Sequence, residues 1–272
     1  MPSTKFLFWN INRKTLADVV AELADEHRVD VVVLAESTGT PSALLQALNT
    51  GGRSEYHFPE GHSKYVTILT RFSREYLQPV SEAGRVSIRR LSLPGRSEIL
   101  MAAVHLVSKR NWSSEDQAFE CEPLARKIAE EEGRVGHQRT VVFGDFNMNP
   151  FEAGLVSSAG FNAVMSRRIA ARVSRTVHGR DYRFFYNPMW GHFGDAKSAT
   201  AGSYHYDNAQ HVNYFGNVFD QVLIRPELTE EFDADHVRIL TSVSGRSLVR
   251  PDGRPDDSGF SDHLPLLFEL IF

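Results

Sequence analysis

The amino-acid sequence predicts an α/β chain built on mixed rather than all-parallel sheet. Two observations carry that prediction. Short β-branched and aromatic runs recur along the whole length, and several are followed by a segment with helical spacing, as a parallel crossover requires. Other runs follow one another through turns of a few residues, which only antiparallel neighbours permit.

The elements follow in order. Residues 5–11 hold Phe6-Leu7-Phe8-Trp9, the core of a buried strand. Thr15 is placed to cap a helix whose apolar face is Leu16, Val19, Val20 and Leu23. The valine-rich residues 29–35, too few for a helix, read as a second buried strand. Pro41 opens a short helix through Leu44, Leu45 and Leu48. Residues 65–70, 85–93 and 98–107 are three strands, the last two joined through Pro94-Gly95. Residues 114–132 form a helix whose seven acids, set against Arg126 and Lys127, mark a solvated face. A strand at 139–144, a short helix at 151–158 and strands at 217–224, 236–240 and 264–272 complete the pattern. Residues 174–217, rich in aromatics, His and Gly, show no periodicity, and a loop of that length is usually functional or mobile. No repeat or linker divides the chain, so one domain over residues 1–272 is expected.

Composition narrows the function classes. The 272 residues are 42% apolar and 24% charged, a folded rather than a disordered composition. Thirty basic against 34 acidic residues give a net charge of −4, which excludes a uniformly basic nucleic-acid binder. Cys121, the one cysteine, makes no internal disulfide and no thiolate cluster. No apolar run approaches the roughly 18 residues of a membrane span, and the apolar stretch near the N-terminus is too short for a signal-peptide core. A cytoplasmic location without a membrane partner is therefore expected. No obligate protein partner is readable.

Chemistry concentrates at strand ends. Asn10 follows Phe6 to Trp9, and Glu36 follows Val31 to Ala35. His105 interrupts an apolar run, while Asp145 and Asn147 close Val141 to Gly144. Asp220 lies within residues 218–224, and Asp262-His263 precedes Leu264. A carboxylate in or just beyond an apolar strand is unfavourable unless paired or bound to metal. Each residue alone has a plainer reading, as a turn, a cap or a core histidine. Six such placements together point to one convergent site.

These residues carry a resemblance. Gly144-Asp145-Phe146-Asn147-Met148-Asn149-Pro150 and Ser261-Asp262-His263-Leu264-Pro265-Leu266 resemble the GDFNxxP and SDHxPL segments of the endonuclease/exonuclease/phosphatase superfamily, the deoxyribonuclease I-like fold. Trp9-Asn10, Leu34-Ala35-Glu36-Ser37, Val104-His105-Leu106 and Phe219-Asp220-Gln221 are similar to its weaker motifs, in the same order. The resemblance implies a four-layer sandwich, two mixed sheets face to face with helices outside, and metal-dependent hydrolysis of a phosphate ester. It implies Glu36 as principal ligand of Mg²⁺ or Mn²⁺, with Asn10 and Asp262 near the ion. Asp145 would orient or deprotonate the attacking water, and Asn147 would hold a phosphoryl oxygen. His263, oriented by Asp220, would bind the developing charge, and His105 would be a second phosphate ligand or a proton donor. No carboxylate partner for His105 is evident near Lys64-Tyr65-Val66-Thr67. The donor types agree independently, because hard divalent cations take oxygen ligands.

For the substrate, residues 166–183 carry Arg167, Arg168, Arg172, Arg175, Arg180 and Arg183 against Asp181 alone, followed by Phe184, Phe185, Tyr186 and Trp190. Arginines bind phosphates and rings stack on bases. The expectation is that this stretch hangs at the site rim, with Arg172, Arg175, Arg180, Arg183, Tyr186 and Trp190 contacting DNA or RNA. His205 and His211 are read as substrate contacts or loop packing in preference to metal ligands. The alternative is a phosphatase or phospholipase-type phosphodiesterase. Met148-Asn149-Pro150 and Asn217-Val218-Phe219-Asp220 stand where inositol-polyphosphate phosphatases carry a basic residue and a PAWCDR-like stretch, which weighs against that branch. A non-catalytic scaffold would have lost one or more of the six polar positions, and none is lost.

Overall fold

Two sheets of unequal width take up the apolar runs. The computed structural model describes residues 3–50, 55–59, 61, 63–196, 200–209 and 211–272. The chain begins β1 (Ser3–Asn10), α1 (Ala17–His27), β2 (Val31–Ala35), α2 (Pro41–Asn49), β3 (Val66–Thr70), β4 (Leu77–Ala83), β5 (Val86–Leu91) and β6 (Ile99–His105). It continues through α3 (Ser114–Val135), β7 (Thr140–Asp145), α4 (Ala153–Val156), β8 (Ala163–Val164) and α5 (Arg167–Ala170). Three short strands follow, β9 (Ser174–Val177), β10 (Arg180–Arg183) and β11 (Phe185–Tyr186), then β12 (Tyr204–Tyr206) and β13 (Phe215–Asn217). β14 (Asp220–Ile224), β15 (Arg238–Ile239), β16 (Ser242–Val243), β17 (Arg246–Ser247) and β18 (Leu266–Ile271) close the order.

One sheet has the order β15-β18-β1-β2-β3 and the other β4-β5-β6-β7-β14-β11-β8. Both are mixed: β1 and β2 are parallel across α1, and β6 and β7 are parallel across α3, while β2–β3 and β7–β14 are antiparallel. Residue parity assigns the layers. Met101, Ala103, Val141, Phe143, Val222 and Ile224 join the core between the sheets. Their neighbours Leu100, Ala102, Val104, Val142 and Leu223 face outward, onto Cys121 and Ile128 of α3. Phe6 of β1 stacks on Phe268 of β18 at 4.8 Å, and both meet Phe143 of the other sheet edge-on at 5.7 and 5.1 Å. α1 and α2 cover the far face of the smaller sheet through Val20, Leu23, Leu44 and Leu48. The four-layer sandwich is the observed fold. Among the described residues no helix is long and apolar enough to cross a membrane.

Three local expectations are corrected. Leu16, not Thr15, occupies the cap position of α1, and no side chain caps that end. β4 escapes sequence reading because it is a half-exposed edge strand, with Pro79 at a register shift against β5. The strand expected at 236–240 shrinks to Arg238–Ile239 behind a 3₁₀ turn. Residues 174–217, aperiodic in sequence, contain two short ribbons, β9–β10 and β12–β13. Residues 197–199 and 210 of that stretch lie outside the described residues.

Gly144 fixes how β7 meets β6. Its φ is +145°, and a Cβ there would stand 2.0 Å from the Val104 carbonyl oxygen, so only glycine lets Asp145 lie in register with His105. Replacing Phe143 by Ala removes the ring through which the two sheets meet. The expected loss is about 3–5 kcal/mol of unfolding free energy, measured by urea denaturation with an unchanged folded-state far-UV spectrum.

Candidate active site

Register and parity bring the polar strand ends together. His105 pairs with Asp145 and Asp145 with Asp220, so the three sit side by side across β6, β7 and β14. Each shares the parity of the residues that face the other sheet. From that sheet come Asn10, at the end of β1 beyond inward-facing Phe6, and Glu36, just past β2. His263 precedes β18, and its carbonyl accepts a hydrogen bond from Trp9 Nε1 at 2.8 Å. All six groups meet at one end of the sandwich.

Asp145 is wholly buried. Its Oδ1 accepts the Asn147 backbone N–H at 2.8 Å, and its Oδ2 accepts the amides of Asn10 and Asn147 at 3.0 and 3.2 Å. Nε2 of His105 and Nε2 of His263 lie 3.7 and 3.9 Å from the same oxygen. Burial raises the Asp145 pKa against the opposing pull of His263. Burial would lower the pKa of His263, but the Asp220 and Asp145 carboxylates override it and hold the imidazole at about 10. Asp220 sits 2.8 Å from His263 Nδ1, which places the proton on that nitrogen and turns Nε2 into the site. Asp145, Asp220 and His263 offer ligand atoms within 4.8 Å of one another. With Nδ1 spent on Asp220, the trio is better described as a carboxylate–histidine pair facing an acid than as a complete ligand set.

Glu36 is the accessible acid. Its Oε1 lies 3.4 Å from His105 Nε2 and 3.5 Å from the Asn10 amide, and its Oε2 lies 3.5 Å from Arg13 Nε. The hydrogen bond from His105 leads the causes that hold the Glu36 pKa at about 2. Asp262, partly exposed, accepts the Ser261 hydroxyl at 3.4 Å, and that hydroxyl also donates to the Asn10 carbonyl at 2.7 Å. Glu36 and Asp262 are oxygen donors with solvent on one side, which fits a hard divalent cation. Asn10 is buried beside Glu36, its amide N–H groups turned to Glu36 and Asp145 and its Oδ1 accepting the Asn12 N–H. Asn12, Arg13, Glu36 and Asn147 all have φ between +44° and +60°. Left-handed backbone at four non-glycine positions around one cleft is local strain held by the surrounding structure.

A model of the endonuclease/exonuclease/phosphatase family matches residues 7–263. The chain belongs to that family. No curated protein matches it. Among solved structures, D. rerio TDP2 complexed with single strand DNA product is similar over the full length of both chains, with 16% identity and a TM-score of 0.58. An endonuclease/exonuclease/phosphatase protein from Beutenbergia cavernae DSM 12333 is 17% identical at TM-score 0.58, covering 100% of this chain and 72% of its own. The endonuclease domain of TRAS1, a telomere-specific non-LTR retrotransposon, is 13% identical at TM-score 0.50, with 99% of each chain covered. At such identities the likeness shows the shared fold.

The family's motif residues converge; the arginine stretch does not. Tyr186 pairs with Ile224, the end of β14 opposite Asp220, so residues before it recede from the site. Arg183 pairs with Glu227, and Arg175 donates to Asn162 Oδ1 at 2.7 Å and to the Val156 carbonyl. Arg172 and Arg180 are exposed on the same β9–β10 side, and Tyr186 packs edge-on against Phe232. The expectation that Arg172, Arg175, Arg180, Arg183 and Tyr186 line the rim is thus corrected: β11 runs toward the site but ends at Tyr186, level with the Ile224 end of β14, and the arginines precede it. Trp190 alone of that set reaches the near side, packed on Phe151 beyond the Gly-Asp-Phe-Asn turn. Among the described residues no carboxylate backs His105, whose Nδ1 is buried without a hydrogen-bond partner and whose ring meets Tyr65 in a T-shaped contact. Sequence reading missed Arg13 and Tyr204. Tyr204, whose ring lies 4.6 Å from His263 and stacks on Phe219 at 5.1 Å, belongs to the Ser203-Tyr204-His205-Tyr206 run whose aromatic content was its only signal.

A raised histidine pKa contributes stability that is fully present below the unfolded value of 6.5 and is lost as pH rises through about 10. In metal-free protein, the His263 ring resonances are expected to titrate far above 6.5, and Asp220→Asn to bring that midpoint down. Proton NMR between pH 5 and 11 reads both, and a midpoint near 6.5 in the unaltered protein would contradict the assigned pairing.

Proposed function

We propose that this protein is a divalent-metal-dependent phosphodiesterase that cleaves nucleic acid. The observation that carries the reading is a buried acid, Asp145, set between two imidazoles and facing the accessible Glu36. Burial makes Asp145 a stronger base than a free aspartate, suited to orient and deprotonate a water molecule attacking phosphorus. Asn147 donates its amide to Asp145 and to the Leu106 carbonyl, and would exchange one of these bonds to hold a phosphoryl oxygen. His263 stays cationic at neutral pH beside Asp220, and its Nε2 stabilises the charge that grows on phosphoryl oxygen in the transition state. His105 turns Nε2 to the same space, as a second phosphate ligand or as donor to the leaving oxygen.

Glu36, with Asp262 and Asn10 near the ion, would hold Mg²⁺ or Mn²⁺, which would neutralise charge on the phosphate and leaving oxygen. The nucleic-acid substrate draws support from the fold relatives, of which one is complexed with a single strand DNA product and another is a retrotransposon endonuclease domain.

Asp145→Ala and His263→Ala are each expected to lower Mg²⁺-dependent hydrolysis by about 10²–10⁴ while leaving circular dichroism unchanged. Full activity in either would sink the assignment of the site. Glu36→Gln should raise the Mg²⁺ concentration needed for half-maximal rate. A panel of single- and double-stranded DNA, RNA, abasic duplex, inositol phosphates and sphingomyelin, each with and without EDTA, fixes the substrate. Cleavage confined to the lipid or inositol compounds would overturn the nuclease reading.

A further inference from the structure

The β12–β13 ribbon springs directly from the catalytic cluster. Its inner end, Tyr204, bridges to His263 and lays its ring against the imidazole. The strands pair Tyr204 with Asn217 and Tyr206 with Phe215, so Tyr206 and Phe215 stand about 7 Å further out along the ribbon at the usual strand rise. That distance is comparable to one nucleotide of an extended strand. Beyond the catalytic end the rings face solvent: Tyr206, Tyr214 and Phe215 are 46%, 52% and 52% exposed.

These rings are held out by structure rather than left loose. Phe215 has φ +57°, an outlier for a bulky side chain, and its N–H is fixed by Asn213 Oδ1 at 2.9 Å. Tyr214 packs edge-on against Phe151 at 5.3 Å and Phe193 at 6.0 Å, and Phe151 is backed in turn by Trp190. Gly216 allows the close approach of residue 201, since a Cβ there would lie 2.2 Å from the Ala201 carbonyl oxygen. At the catalytic end burial raises the Tyr204 pKa and the nearby Arg110 guanidinium opposes that rise, so a cation lies near its hydroxyl. Strain spent on displaying aromatic faces beside a phosphate-handling site calls for a planar, apolar-faced ligand joined to phosphate.

We propose that the β12–β13 ribbon is a stacking platform for unpaired bases, with Tyr206 and Phe215 receiving bases beside the phosphate held at His263. The proposal rests on the nuclease reading and narrows its substrate to single-stranded nucleic acid or a single-stranded end. Bases within a duplex are already stacked on both faces and cannot use exposed rings, whereas every unpaired base can.

Binding of fluorescently labelled 12-mers in EDTA tests it without cleavage. The probes are single-stranded DNA, single-stranded RNA, the DNA duplex and a base-free sugar-phosphate strand of equal charge. The unaltered protein is expected to bind at least one single strand about tenfold or more tighter than the duplex or the base-free strand. Tyr206→Ala and Phe215→Ala should each weaken that single-strand binding by about 5- to 150-fold, the range for loss of one base–aromatic stack. Tyr206→Phe should keep the affinity and Tyr206→Leu should lose it, which separates stacking from bulk apolar contact and survives any misfolding of the Phe215 variant. Whether DNA or RNA binds tighter identifies the sugar, and either supports the platform. Equal affinity for single strand and duplex, or single-strand binding unmoved by Tyr206→Ala, overturns it. Hydrolysis of bis(p-nitrophenyl) phosphate by the unaltered protein, which offers no base to stack, tests the phosphodiesterase reading separately.

Discussion

A carboxylate with no exposed surface is the constraint on which the rest of this structure depends. Moving a charged acid out of water is unfavourable by several kcal/mol even after relaxation, unless donors surround it. Asp145 is surrounded from both sheets: Asn10 comes from the end of β1, Asn147 from the turn after β7, and the two imidazoles from β6 and the approach to β18. The sheets cannot separate at this end without stripping donors from a buried acid. The contact between Phe6, Phe143 and Phe268 closes the sandwich through its middle. Assembly of the core and assembly of the site are therefore one event, and disorder in either would be felt in the other.

Much of this was legible in the sequence because parity is a one-dimensional signal. A polar residue at either end of an apolar strand shares the direction of the strand residues two and four places from it, so Asn10, His105 and Asp145 at strand ends and Asp220 at a strand start announced a common face. The motif order then matched a family fold that the structure bears out. Strand direction, in contrast, has no local signature. Arg183 and Asn187 are four residues apart, yet β11 between them carries the chain from the Glu227 side to Gln221 near the site, where Asn187 donates at 2.8 Å. Nearness to a motif in sequence was thus a poor guide to nearness in space. Tyr204 against His263 is a contact across 59 positions, and no periodicity encodes it.

The net charge of −4 acquires a different meaning once the partners are known. Several arginines neutralise acids of the same molecule in place of an external phosphate: Arg183 with Glu227, Arg139 with Glu231, and Arg225 with Glu132 of α3, where both partners are buried and the guanidinium also lies 3.8 Å from the Phe185 ring centroid. These pairs tie the long acidic helix and the chain after β14 to the larger sheet. The charge sum thus records internal pairing as much as surface potential, and at the cleft Arg13 lies beside Glu36 and Arg110 near Tyr204.

The left-handed backbone of Glu36 has an evolutionary consequence. Glycine would adopt that angle with less strain, so selection for thermal persistence alone would favour discarding a partly exposed side chain that faces the cleft. Its presence marks a position where the molecule stays below its own attainable stability. A library sorted only for heat resistance would give up this rim acid while keeping Asn147, whose amide the buried Asp145 needs.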